Sequence, residues 1–141
     1  KNKNKLNIKE MCVLLPTAPI RSSFDIDNAI KLFFEKKADS VLSVQKAKPL
    51  EWHLNYDDKA QIKTALKIDL KKAISNRQNL QKTVVLNGSI YVLNTEFLKK
   101  NKTYFGKLTF GYLMPAFKSI DIDTEDDLKM AEAIINSGID A

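Results

Sequence analysis

Five consecutive apolar residues, Met11-Cys12-Val13-Leu14-Leu15, run directly into Pro16-Thr17-Ala18-Pro19. A short continuous apolar run predicts a strand buried on both faces of a parallel sheet. Proline has no N–H and a fixed φ, so the ladder stops at Pro16. Ser22 or Ser23 can then cap a helix. Ile26, Ala29, Ile30 and Phe33 follow at helical spacing and give that helix one apolar face. Val41-Leu42-Ser43-Val44 is the next strand. A strand–helix–strand unit implies a right-handed crossover and an α/β sheet.

The rest of the chain extends this pattern. Glu51-Trp52-His53-Leu54-Asn55-Tyr56 alternates and Asp57-Asp58 is a turn signal, which predicts a hairpin within an excursion from the sheet. His53 belongs to that hairpin and is read as structural. Residues 84–93 form a strand interrupted by Asn87-Gly88, and Asn94 or Thr95 caps a short helix through Lys100. Residues 108–114 form another strand, ended by Pro115. Ile120 and Ile122 flank Asp121 in a short extended piece. Thr124 caps the last helix and Asp127 closes a capping box. Leu128, Ala131, Ile134 and Ile135 are its expected buried stripe, and Gly138 stops it.

Composition narrows the class. The 141 residues are 44% hydrophobic and 28% charged, the balance of a globular domain with a core. No apolar run approaches the ~20 residues that span a bilayer, and no secretory leader is recognisable. Cys12 is the single cysteine, so no internal disulfide is available. It is expected to be a buried, inert thiol, and a reducing cytoplasmic setting follows. The net charge of +6 comes from a lysine-rich composition, read as solvated helix faces. Aromatic–arginine interleaving is absent, so neither nucleic acid nor membrane is an expected partner.

Several residues have the chemistry of a site. In Asp121-Ile122-Asp123 an extended backbone puts both carboxylates on one side. Two neighbouring carboxylates call for a cation, and hard oxygens suit Mg²⁺, which takes one or two carboxylates plus phosphate oxygens and water. A solvated Asp121 beside a helix-entry Asp123 satisfies the same spacing. Thr17 and Arg21 leave the C-terminal end of a strand, where α/β sheets bind ligands. Thr17 offers a hydroxyl and Arg21 a permanent charge, though a purely structural turn is compatible with both. Gly88 marks a bulge or a close backbone approach, and Asn87 and Tyr91 flank it with polar groups that could read a sugar. Arg77 could hold an acidic sugar or lie at the surface. Tyr104-Phe105-Gly106 could line a pocket or an interface.

Taken in order, Leu14-Leu15-Pro16-Thr17-Ala18-Pro19-Ile20-Arg21, Ala38-Asp39-Ser40-Val41-Leu42-Ser43-Val44, Arg77-Gln78, Asn87-Gly88-Ser89-Ile90-Tyr91 and Ser119-Ile120-Asp121-Ile122-Asp123-Thr124-Glu125-Asp126-Asp127-Leu128 resemble the acylneuraminate cytidylyltransferases. The resemblance runs from about Met11 to the end. It implies a Rossmann-like nucleotide-diphospho-sugar transferase fold, here 1–141 as a single α/β domain that forms the C-terminal part of the cytidylyltransferase. It implies transfer of CMP from CTP to an acidic nine-carbon sugar, with release of pyrophosphate and a need for Mg²⁺. Asp121 and Asp123 would be the metal ligands. Arg77, Asn87 and Tyr91 would lie in or near the sugar site, and Tyr104 and Phe105 match an aromatic pair that reaches a neighbouring subunit's sugar pocket. A homodimer is implied, with an excursion at about 48–82 exchanged between subunits.

Three departures from the family matter. Leu15 stands where many members have a sugar-contacting Gln, and Glu51 or its neighbour stands where some have a lysine near the sugar carboxylate. Both admit legionaminic or pseudaminic acid as readily as sialic acid. The Gly/Ser/Lys-rich loop that holds the CTP phosphates in the family is not found in this sequence, so the chain alone is expected to have little or no synthetase activity. The alternatives are a non-catalytic sugar-binding or dimerisation fragment and a Kdo cytidylyltransferase.

Overall fold

The computed structural model describes residues 7–65 and 82–139. These fall into two compact units: Lys1–Gln45 with Leu86–Ala141, and Lys46–Val85. Arg77, Gln78 and the later part of the expected excursion lie outside the described residues.

The first unit is built on a four-stranded mixed sheet in the order β1-β5-β2-β6. Strand β1 is Glu10–Val13, β2 is Ser40–Lys46, β5 is Val84–Asn94 and β6 is Thr109–Leu113. β1 and β5 run antiparallel, with Val13 opposite Tyr91. β2 and β6 run parallel, with Ser43 opposite Tyr112. β2 is buried from Ser40 to Val44, its two serines included, as expected of a strand covered on both faces.

β1 departs from expectation. It is the outermost strand of this sheet rather than an inner one, and its first three residues are exposed. Met11 and Leu14 are both 37% exposed, and Cys12 is exposed rather than buried. An apolar run reports what a strand can cover, but the order of strands decides whether anything covers it.

Helix α1, Ser23–Glu35, forms as its spacing predicts. Ser22 is the cap, and its side chain and that of Asp25 close a reciprocal capping box, an arrangement whose loss typically costs about 1 kcal/mol. Ala29 and Phe33 of α1 pack with Ala38, Val41, Ile90, Val92 and Met114 to form the core. Helix α2, Thr95–Asn101, is capped by the Asn94 side chain, which accepts from Phe97 N. A single 3₁₀ turn, Ala116–Lys118, follows Pro115 and leads into the extended residues before the last helix.

That last helix, α3, spans Glu125–Asn136 and has the Thr124–Asp127 capping box read from the sequence, with Gly138 at φ +66° beyond its end. Its expected stripe is only partly buried. Ala131 is enclosed, whereas Leu128 is 46% and Ile135 59% exposed. Periodicity placed these residues on one face, but within the described residues that face is covered only near its centre.

The second unit contains the predicted hairpin, β3 (Leu54–Tyr56) against β4 (Ile62–Thr64). Asp57 makes the turn, its Oδ1 accepting from Lys59 N and Gln61 N at 3.0 Å each. His53 Nδ1 lies 3.1 Å from the Pro49 carbonyl, so the ring serves the hairpin base as the sequence suggested. Trp52, Leu54, Tyr56 and Ile62 are exposed.

Candidate active site

The loop after β1 is shaped from within. Arg21 Nη1 donates to the carbonyls of Leu15 at 2.7 Å and Ala18 at 2.5 Å, so this arginine first of all braces the turn that presents Thr17. Thr17 itself is exposed, and its carbonyl accepts from Ile122 N at 2.8 Å. That bond ties the loop to the aspartate segment more than a hundred residues later. Cys12, on the neighbouring strand, has its thiol pushed up by desolvation, which Arg21 only partly offsets. It therefore lacks the lowered pKa of an activated nucleophile.

Gly88 is where β5 meets the aspartate segment. Its φ of +71° is a left-handed conformation, and a Cβ there would stand 3.0 Å from Asp121 Oδ2 and 3.5 Å from Leu15 Cδ1. The sequence predicted a close approach at this glycine. The neighbour is the Asp121 side chain together with Leu15.

Asp121 is half-buried, and its Oδ1 is buried with no hydrogen-bond partner among the described residues. An orphaned carboxylate oxygen is costly unless something else satisfies it, and a hard cation is a suitable occupant. Asp123 is exposed, and its backbone N–H donates to Asp127 Oδ2 at 3.3 Å, so its side chain stands at the entrance to α3. Among the described residues no cluster of three or more His, Cys, Asp or Glu side chains surrounds these two. The orphaned Oδ1 of Asp121 is the one feature of this pair that suits an ion taking one or two carboxylates and completing its shell with other oxygens.

Aromatic residues adjoin the carboxylate. Tyr91 follows Gly88 on β5, and its phenol is pushed above the ordinary value by desolvation, then by Tyr104 and by the Asp121 charge. Tyr91 and Tyr104 pack edge to face at 5.7 Å between centroids, and Phe105 adjoins Tyr104 at 4.9 Å. The loop bearing this pair is fastened at the Tyr104 carbonyl, which accepts from Ser40 Oγ at 2.5 Å. Phe105 is 56% exposed, so much of its ring faces outward beyond the Tyr104 contact. It also borders an open cleft of about 950 Å³ lined by Asp39, Phe97, Lys100 and Lys107, but neither Asp121 nor Tyr91 lines that cleft.

The expected site residues thus divide. Thr17, Gly88, Tyr91, Tyr104, Phe105 and Asp121 form one connected neighbourhood, with Asp123 at its margin. Arg21 is engaged by its own loop, and Arg77 lies outside the described residues. Asn87 points into the protein. It is 3% exposed, its Oδ1 accepts from Ser43 Oγ at 2.5 Å, and its Nδ2 donates to Ser119 Oγ at 2.8 Å. Ser43 Oγ in turn accepts from Ile90 N at 2.7 Å, and Ser119 Oγ donates to the Pro115 carbonyl at 2.8 Å. This closed relay crosses from β2 through β5 to the segment just before Asp121.

Sequence reasoning missed a second buried polar cluster. Asp25 accepts from Ser22 N, Ser22 Oγ, Tyr112 Oη and Lys118 Nζ. Burial raises the Asp25 pKa, but the hydrogen bonds from Ser22 and Lys118 outweigh it and leave the carboxyl below its ordinary value. The Ser22-x-x-Asp25 spacing was a readable signal for half of this cluster. Nothing local distinguishes Lys118 from the other lysines.

No protein-family model matches the chain. Individual relatives do. Over 120 residues the chain is 29% identical to the post-translational flagellin modification protein B of Campylobacter coli, an alignment covering 84% of this chain and 49% of that protein. It is 32% identical over 124 residues to the N-acylneuraminate cytidylyltransferase of Streptococcus agalactiae serotype V, covering 84% of this chain and 28% of that enzyme. Over a shorter stretch of 62 residues it is 36% identical to the CMP-N,N'-diacetyllegionaminic acid synthase of Campylobacter jejuni, covering 44% and 26% respectively. The chain therefore spans half the length or less of these relatives. Among solved structures, the 4-diphosphocytidyl-2C-methyl-D-erythritol synthase of Anaerococcus prevotii aligns at a TM-score of 0.48 and 13% identity, over 91% of this chain and 59% of that one.

Proposed function

We propose, for a chain that belongs to the acylneuraminate cytidylyltransferase family over the segment it shares with its relatives, that it forms part of a catalyst transferring CMP from CTP to a sialic-acid-like sugar. In that reaction a hydroxyl oxygen of the sugar bonds to the α-phosphorus of CTP. The bond from that phosphorus to the pyrophosphate oxygen breaks, and pyrophosphate leaves. The fold in this reading is the Rossmann-like nucleotidyltransferase arrangement, of which the mixed α/β sheet is a part.

The observation that carries the reading is the buried, orphaned Oδ1 of Asp121, a carboxylate whose other oxygen, Oδ2, lies against Gly88 and whose charge reaches Tyr91. Asp121 and Asp123 would hold Mg²⁺. When bound, the ion would neutralise phosphate charge and ease the departure of pyrophosphate. Tyr91 would donate a hydrogen bond to the sugar through its phenol, which is protonated at neutral pH as any tyrosine is. Phe105 and Tyr104 would present apolar faces to a sugar in the pocket of a neighbouring subunit. Thr17 would add a hydroxyl at the rim, and Arg77 a charge suited to the sugar carboxylate.

Leu15, in contact range of the site, favours a sugar with an apolar substituent at that point, and legionaminic and pseudaminic acids are candidates beside sialic acid. The exposed apolar residues of the hairpin support homodimerisation through the Lys46–Val85 unit. No helix among the described residues is long and apolar enough to cross a membrane, and the reading places the reaction in the cytoplasm, where CTP is available.

Pyrophosphate release from CTP and Mg²⁺ with a panel of nonulosonic acids tests the proposal. It should be run on this chain and on this chain supplemented with the N-terminal segment of a full-length relative. Release with one sugar, lost in Asp121→Asn, supports the reading. Silence in both arms sinks it in favour of a binding fragment.

A further inference from the structure

We propose that Lys118 is a positioning residue whose buried ion pair with Asp25 sets where Asp121 stands. The pair joins residues 93 apart in sequence: Lys118 Nζ donates to Asp25 Oδ2 at 2.9 Å and to Ser22 Oγ at 3.2 Å. The two side chains are 11% and 6% exposed. Tyr112 Oη adds a bond to Asp25 Oδ1 at 3.2 Å, so the carboxylate is fully engaged.

A buried ion pair is a poor device for stability alone. Desolvating the two charges offsets most of their attraction, and an apolar replacement of similar volume is often neutral or better. Such a pair is directional, however, because the Lys118 ammonium is buried and its bonds run to Asp25 Oδ2 and Ser22 Oγ at the start of α1. This one joins the first turn of α1 to the 3₁₀ turn three residues before Asp121. The α1 end is continuous with the loop that carries Thr17. The Lys118 end is continuous with Ser119, which Asn87 holds against the sheet.

Lys118–Asp25 and Ile122–Thr17 are thus two ties between the same pair of segments, with Asp121 between them. With one tie the aspartate segment could pivot about it. With two it is held in a single orientation, with the carboxylate of Asp121 against Gly88.

The importance of Asp121 rests on the function proposed above, so the deciding readout is independent of catalysis. Amide hydrogen exchange at Ile122, the donor to Thr17, reports the orientation of the segment, and Val92 in the core of β5 reports global opening. In Lys118→Met, Ile122 should exchange at least about tenfold faster while Val92 keeps its rate. Lys118→Arg, which restores the charge and the donors, should recover most of the protection. In Asp25→Asn/Lys118→Met, Ile122 should be no less protected than in Lys118→Met.

An unchanged Ile122 rate overturns the proposal, as does a rise shared equally by Ile122 and Val92, since either shows the pair to be merely structural. Should Lys118→Met fail to fold, Lys118→Gln, which keeps a donor without a charge, provides the same comparison. Loss of Ile122 protection with full pyrophosphate release would leave the positioning role standing and remove the catalytic reading of Asp121.

Discussion

Gly88 and Asp121 meet so closely that a single added carbon would disturb both: a Cβ on Gly88 would lie 3.0 Å from Asp121 Oδ2 and 3.6 Å from its Cγ. The contact carries strand β5 to the carboxylate and leaves room for no side chain between them. Gly88→Ala should therefore be doubly unfavourable. The left-handed φ of +71° costs a non-glycine residue about 1–2 kcal/mol, and the Asp121 carboxylate must also shift. The expected result is a lower urea midpoint with unchanged slope, together with chemical-shift changes at Ile122 in an amide spectrum. An unaltered Ile122 resonance would contradict the contact.

Asn87, which the resemblance puts in or near the sugar site, is buried and bonded inside the protein. A sugar-contacting asparagine could be truncated at little cost to the fold. The Asn87 found here bonds Ser43, Ser119 and the backbone of Ser89 inside the protein. Asn87→Ala leaves several buried groups without partners, each worth about 1–3 kcal/mol. The expected outcome is a loss of that order in denaturant unfolding. A variant as stable as the parent, with weakened sugar binding, would restore the sugar-contact role.

Tyr91 should report on Asp121 directly. Its phenol is pushed above the ordinary tyrosine value by desolvation first, then by Tyr104 and the Asp121 charge. Removing that charge in Asp121→Asn should bring the Tyr91 titration down, as followed by ultraviolet difference spectra against Tyr91→Phe. Because the folded value is raised, the contribution of Tyr91 to stability is complete below the ordinary phenol pKa and is lost as pH rises through the folded value. A titration that does not move in Asp121→Asn would place the two groups out of electrostatic range.

Asp25 sets the acid limb. Its folded carboxyl lies below the ordinary value because the Ser22 and Lys118 hydrogen bonds outweigh burial. The unfolded chain therefore takes up this proton first, and stability rises with pH across that interval. The contribution is present at neutral pH and is lost as pH falls through the folded pKa, below the ordinary carboxylate range. Thermal midpoints of the parent and of Asp25→Asn/Lys118→Met, scanned downward from about pH 6, should converge toward the acid end. A constant offset across the scan would refute the assignment.

Local elements and the site motif were legible for a common reason. A capping box is closed by residues three apart, so Ser22–Asp25 and Thr124–Asp127 can be read from a few letters, and both form. Pro16 and Pro115 end strands through their own covalent structure. Gly88 announces an unusual backbone because it lacks a Cβ.

By itself, the sequence determined that α1, β2, α2 and α3 form and placed their starts to within a residue, that a glycine interrupts β5, and that two carboxylates bracket Ile122. Each of these depends on neighbours within a few residues. Only the tertiary structure decided that, among the described residues, β1 is an end strand of the sheet with Cys12 exposed and Leu128 and Ile135 of the α3 stripe are left uncovered, that Asn87 turns inward, and that Lys118 finds Asp25 93 residues away. Those outcomes depend on strand order and on pairings between distant segments, and the pattern of any one segment is compatible with several such arrangements until the others are in place.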